Sequence, residues 1–136
     1  MAERLEATVL PSFSAAAARE YHLAAERDGV VEHTLRFGSS RVCVGIAGAD
    51  LAAVLLPALS GRIDSTPGAV DAAIAVWEAA ACAMGAASAP WRIGDIGPGG
   101  LVRGPEVDPL LAVHETGSGA LTLVDPSERK VLHRVS

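Results

Sequence analysis

Residues 30–47 have the sequence VVEHTLRFGSSRVCVGIA. In the first half, Val31, His33, Leu35 and Phe37 alternate with the polar residues Glu32, Thr34 and Arg36. After the turn sequence Gly38-Ser39-Ser40, the alternation resumes at Val42, Val44 and Ile46. A period of two is typical of a half-buried strand, and glycine and serine favour a tight turn between strands. We therefore predict a β-hairpin over residues 30–47.

The segment that follows the hairpin has the pattern of a helix. Residues 51–60 place apolar side chains at helical spacing, and Asp50 is suited to cap the helix N-terminus. Gly61 is suited to the C-terminal end. Pro57 lies inside the segment, so we expect the helix to bend or to be shortened there.

Residues 70–78 allow two interpretations. The alanines and the preceding Thr66-Pro67 favour a helix. Ile74, Val76 and Trp77 equally favour a buried strand. The local pattern leaves this choice open.

The two ends of the chain are simpler. Residues 12–28 predict a helix that begins at Ser12 or Ser14 and ends at Gly29. In the C-terminal third, three short apolar runs are separated by turn residues, which indicates an antiparallel meander. These runs are residues 110–115, 120–124 and 131–135.

Together these elements predict an α+β fold, with a mostly antiparallel sheet and one or two helices on one face. A length of 136 residues fits one domain, residues 1–136. We divide it into four parts in chain order: an N-terminal helix (1–29), a hairpin plus helix (30–62), a loop-rich middle (63–109) and a β-meander (110–136).

Composition narrows the possible partners and the compartment. The net charge is −5, and the 11 lysines and arginines are scattered, so we expect no nucleic-acid or membrane-surface partner. The N-terminus lacks the pattern of a signal peptide, and the apolar run at residues 79–87 is too short to span a bilayer. Cys43 and Cys82 do not form a disulfide framework. We expect a cytoplasmic protein.

Motifs for catalysis are missing from the sequence. The glycine-rich residues 115–120, ETGSGA, lack the lysine of a phosphate-binding loop, so we interpret them as a hairpin turn. The histidines have no metal-binding spacing, and Cys43 lies among apolar neighbours, which is typical of an unreactive thiol. We predict no catalytic residue, no metal and no cofactor.

The loop-rich middle contains the polar residues that best fit a ligand or interface site. Trp91 is suited to line a pocket or an interface, although filling the core is the simpler role for it. The candidate residues are Trp91, Arg103, Glu106, Asp108 and His114.

The order of segments resembles a known family. The quoted segments are Leu35-Arg36-Phe37, Val42-Cys43-Val44, AAVLLPAL (52–59), AIAVWE (73–78), Val102-Arg103-Gly104 and SGALTLVD (118–125). Over residues 30–135, this order resembles the N-terminal region that precedes the P-loop kinase domain in bacterial proteins related to HPr serine kinase. In that family the ATP-binding loop and the catalytic residues lie downstream of this region, so no functional residue is carried over.

The resemblance implies a non-catalytic accessory module, whose partner is a P-loop kinase domain in cis or in trans. It also implies a strand at residues 70–78. Two alternatives remain open: a small-molecule-binding protein or small enzyme with its site in the loop-rich middle, and a homo-oligomeric structural protein joined through strand edges.

Overall fold

The structure is a computed structural model that describes residues 9–79, 89–91, 93–102, 110–115 and 117–135. Two α-helices and six strands follow one another in the order α1 (Val9–Asp28), β1 (Val30–Phe37), β2 (Ser40–Ala47), α2 (Ala49–Leu59), β3 (Ala72–Glu78), β4 (Leu111–His114), β5 (Leu121–Asp125) and β6 (Lys130–Val135). Within these ranges, no helix has both the length and the apolar character needed to cross a membrane.

The six strands form one mixed sheet in the order β1-β2-β3-β6-β5-β4. The β1–β2 hairpin is antiparallel, and so is the β4-β5-β6 meander. Strand β3 joins the two parts, because it runs parallel to β2 on one side and to β6 on the other. The predicted α+β class, the hairpin and the meander are confirmed.

Residues 72–78 form a strand, β3, and not a helix, which decides between the two interpretations of residues 70–78. Its small residues, Ala73 and Ala75, share one face with Trp77, and Ile74 and Val76 lie on the other. A central strand that is covered on both faces is apolar at nearly every position. Because such a run has no polar side, its periodicity does not distinguish it from a buried helix.

The two helices lie on opposite faces of the sheet, whereas we predicted helices on one face. Ile46 and Val76 pack in one apolar cluster with Leu51 of α2. The next residue in each strand, Ala47 and Trp77, packs in a second cluster with α1. Successive side chains of a strand point to opposite faces. Both faces of β2 and β3 are apolar, so each needs its own cover.

Both helices differ from prediction at their N-terminal ends. Helix α1 begins at Val9, before Ser12, because Pro11 is tolerated in a first turn. Gly48, and not Asp50, caps α2, so that Asp50 lies in the first turn. A carboxylate there is still favourable, because the helix dipole is positive at that end. Pro57 lies inside α2, which ends as an α-helix at Leu59.

A buried polar contact fixes α1 to the sheet. Glu20 of α1 accepts hydrogen bonds from Trp77 Nε1 (3.2 Å) and from Arg134 Nη1 (3.3 Å). The Arg134 guanidinium also lies 5.8 Å from the centre of the Phe13 ring. A buried carboxylate needs such partners, because the loss of hydration is otherwise costly. The contact therefore sets the position of α1 over β3 and β6.

Candidate functional site

Two of the five candidate residues are in contact. Trp91 Nε1 donates a hydrogen bond of 2.7 Å to His114 Nδ1, and the Trp91 ring meets the Phe13 ring edge-on at 5.2 Å. Trp91 is only 7% exposed. Its one polar group is therefore used, and its ring belongs to the core between α1 and β4. The other candidates, Arg103, Glu106 and Asp108, lie outside the described residues.

The glycine-rich segment after β4 is a hairpin connection to β5, as predicted. The Glu115 N–H donates to the Ala120 carbonyl at 2.9 Å, which closes the turn. Gly119 has a φ of 77°, a value that favours glycine. The backbone groups of this turn therefore bond to one another across the hairpin.

Titratable side chains do not converge on a metal site in the part of the chain that the structure describes. His133 pairs with Thr122 Oγ1 at 2.8 Å, and burial lowers the pKa of its imidazole. A hollow of about 310 Å³ beside the start of α2 is bordered by Asp28, Asp50 and Glu78. These carboxylates surround the hollow without forming a ligand set.

A second cavity lies between α1 and the sheet, and we call it the α1 groove. It has a volume of about 200 Å³. Its floor consists of Cys43 and Gly45 of β2, beside Ala73 and Ala75 of β3. These residues are direct neighbours, because Cys43 pairs with Ala73 and Gly45 pairs with Ala75.

The groove results from the order of small and branched residues in β2 and β3. In β2 and β3, small residues alternate with branched ones, and the branched Val44, Ile46, Ile74 and Val76 all belong to the cluster on the α2 side. On the α1 side, the same two strands place only small side chains, those of Cys43, Ala73 and Ala75 beside Gly45, along the groove, and the bulky Trp77 follows next to it. The alternation of small and branched residues at 42–46 and 73–76 is therefore the sequence signal for this cavity.

Tyr21 of α1 forms one wall of the groove and lies above Gly45. A Cβ at Gly45 would be 2.5 Å from the Tyr21 hydroxyl oxygen, so only glycine leaves room for this contact. Glu32 pairs with Gly45 across the hairpin, which places its side chain on the same face, beside Tyr21.

Two of the donors that line the groove, Tyr21 and Cys43, are neutral at physiological pH. Burial, and then the charge of Glu32, raise the pKa of the Tyr21 phenol. The same two causes, in the same order, raise the pKa of the Cys43 thiol. Because a thiolate is the nucleophilic form of cysteine, Cys43 is held in its unreactive form. The groove therefore offers binding contacts instead of an activated nucleophile.

A second feature is the solvent-facing side of α2. After Asp50, every residue of this helix is apolar, in the sequence LAAVLLPAL. Leu51 and Ala52 are buried, whereas Ala53, Val54, Pro57 and Ala58 are exposed, and Val54 is 74% exposed. We call these four exposed residues the α2 outer face. A surface helix normally carries polar side chains on this side.

The α2 outer face is continued by apolar residues near the C-terminal end of the helix. Phe37, at the end of β1, is 42% exposed, and its ring lies 5.3 Å from the Arg62 guanidinium carbon. Ile63, next to Arg62, is 37% exposed. The apolar stripe that faces the sheet was predicted from helical spacing, and the opposite side of α2 is apolar too.

The edge strands of the sheet are partly paired with other segments. At β1, the Asp64 N–H donates to the Thr34 carbonyl at 2.8 Å, next to a bridge between Leu35 and Ile63. At β4, the Val102 N–H donates to the Ala112 carbonyl at 2.8 Å. Such pairing leaves fewer free backbone groups for another chain to join the sheet.

The comparisons with known proteins add no further constraint. No family model matches the chain, and no match was found among curated proteins or solved structures. The functional assignment therefore rests on the residues of this chain alone.

Proposed function

We propose that this chain is a non-catalytic interaction module of the cytoplasm, which binds a P-loop kinase domain, in cis or in trans, through the α2 outer face. The observation that carries the proposal is that α2 is apolar on all sides while one side, including Val54, is exposed. A helix that is apolar on all sides is normally buried, so this surface is suited to contact a partner.

The composition of the surface supports a protein partner. The α2 outer face has no charged residue between Asp50 at one end of the helix and Arg62 beyond the other. Protein interfaces have the same arrangement, with a core depleted in charge and a polar rim. A partner that covers Val54, Pro57 and the two alanines therefore removes apolar area from water without desolvating a charge.

The kinase domain as partner comes from the resemblance to the N-terminal region of HPr serine kinase-related proteins, in which such a domain follows this region. The absence of an activated group in the α1 groove is consistent with an accessory role, because the Cys43 thiol is held protonated.

The proposal is tested by binding measurements with one matched pair of variants. Val54→Glu places a charge in the centre of the α2 outer face, and Leu23→Glu makes the same kind of change at an α1 side chain that is 58% exposed. By isothermal titration against an isolated P-loop kinase domain of an HPr-kinase-related protein, we expect Val54→Glu to weaken binding at least tenfold and Leu23→Glu to leave it unchanged.

Three results contradict the proposal. If the wild-type chain does not bind the kinase domain, that partner is excluded. Equal loss of binding in both variants excludes the α2 outer face as the specific surface. Sedimentation that shows self-association of the wild type, lost in Val54→Glu, assigns the surface to a second copy of the chain instead. Urea unfolding of both variants provides the control that each is folded.

A further inference from the structure

The Glu32 end of the α1 groove combines a carboxylate with an aromatic ring. Glu32 and Gly45 are cross-strand partners, and the Tyr21 hydroxyl lies directly over Gly45. The phenol ring and the carboxylate therefore border the same end of the groove. A positive group at this position would contact both, because a cation is attracted by the face of an aromatic ring as well as by a carboxylate.

Charge in the groove is unequal at its two ends. Within the described ranges, Glu32 forms no ion pair. Lys130, at the other end, is paired with Glu128 at 3.3 Å. The chain as a whole carries a net charge of −5, which adds to the attraction for a cation. The Glu32 end of the groove therefore favours a positive group over a negative one.

The rest of the groove is suited to an apolar body. Ala73, Ala75 and Leu132 line it beyond Gly45, and none of them has a polar side-chain atom. The volume of about 200 Å³ is below the range of roughly 300–1,000 Å³ that is usual for pockets of drug-sized ligands. This volume is suited to a small molecule with a short apolar part.

We propose that the α1 groove binds a small organic cation, with its ammonium group against Glu32 and Tyr21 and its apolar body over Ala73 and Ala75. This site is separate from the α2 outer face, since the two lie on opposite sides of the sheet. A negative result for one proposal therefore does not contradict the other.

The test uses 2-phenylethylamine as the probe, with 3-phenylpropionate as an anionic counterpart of similar size. Amide NMR spectra of the full chain are recorded during each titration. We expect saturable shifts from the amine at Cys43, Gly45 and Ala73, and none of comparable size from the anion. Glu32→Gln should raise the Kd of the amine about tenfold, because it removes a charge-assisted hydrogen bond.

Glu26→Gln is the matched control, because Glu26 is an exposed carboxylate of α1 that does not line the groove. It should leave the Kd of the amine unchanged. Four results overturn the proposal: no saturable shift with the amine at millimolar concentration, equal binding of the anion, shifts confined to residues outside the groove, or an equal loss of affinity in Glu26→Gln and Glu32→Gln.

Discussion

The two helices cover the same central strands in opposite ways. On the α2 side, branched side chains of β2 and β3 fill the space beneath the helix, and the surplus apolar residues of α2 face solvent. On the α1 side, Cys43, Gly45, Ala73 and Ala75 are small, so a hollow remains beneath part of the helix, next to the buried Trp77. The comparison teaches that side-chain size at alternate positions of a strand determines how a helix packs on it. Large side chains fill the space beneath the helix, and small ones leave a cavity there.

The largest effect is expected within the α2 layer itself. Ile46 is fully buried against α2, whereas Val54 is exposed on the other side of the same helix. Ile46→Ala should lower the free energy of unfolding by about 3 kcal/mol, because it leaves a cavity. Val54→Ala should change the free energy of unfolding by less than about 0.5 kcal/mol.

Urea unfolding with comparison of m-values measures both changes. Equal destabilisation by the two variants would mean that Val54 is already covered in the isolated chain. In that case the α2 outer face would not be a free surface in the isolated chain.

A smaller effect is expected on the α1 side, at Gly45. Gly45→Ala should lower the free energy of unfolding by about 1–2 kcal/mol, because its Cβ would lie 2.5 Å from the Tyr21 hydroxyl oxygen. Without that contact, replacing glycine in a strand would stabilise it by roughly 0.5–1 kcal/mol.

Tyr21→Phe removes the oxygen, so the double variant should recover most of the loss. A double-mutant cycle by thermal or urea unfolding measures this coupling. If Gly45→Ala stabilises the chain in the Tyr21 background, then α1 does not pack against β2 as closely as described, and the contrast between the two layers is weaker.

The smallest effect concerns the hairpin end of the α1 side, beyond the reach of the helix. There Arg41 bonds to the carbonyl groups of Thr66 and Ala69 and lies 3.4 Å from Asp64. Hydrogen bonds from Thr66, and then from Arg36, hold the pKa of Asp64 below its usual value.

A lowered carboxyl pKa stabilises the native state above the unfolded-state value of about 3.9 and loses this contribution as the pH falls below it. Asp64→Asn should therefore flatten the dependence of unfolding free energy on pH between about 4 and 2. Urea unfolding at pH 7 and pH 3 measures the slope. A slope identical to that of the wild type would mean that Asp64 does not contribute to the pH dependence of the unfolding free energy.

The elements that were predictable from sequence are those whose partners are near in the chain. The hairpin of residues 30–47 and the C-terminal meander both carry alternation and turn residues in one short window. The parallel position of β3 was not predictable locally, because its partners on either side are set by the whole sheet. The placement of α1 and α2 on opposite faces has the same origin.

The sites show a similar division. Trp91 and His114 are 23 positions apart in the sequence, so composition suggested the residues but not their hydrogen bond. The α1 groove depends on the register between β2 and β3, which aligns Cys43 with Ala73 and Gly45 with Ala75. The register of a parallel pair cannot be predicted from either strand alone.

The central place of β3 also has a consequence for the order in which the chain folds. Strand β3 follows β2 closely in the chain, whereas its other neighbour, β6, comes much later. Ala73 therefore pairs with Lys130 only after residues 130–135 have been made. Contacts between distant parts of a sequence slow folding, and unpaired strand edges promote aggregation in the meantime. During synthesis on the ribosome, the edge of β3 that faces β6 therefore stays unpaired until residues 130–135 emerge.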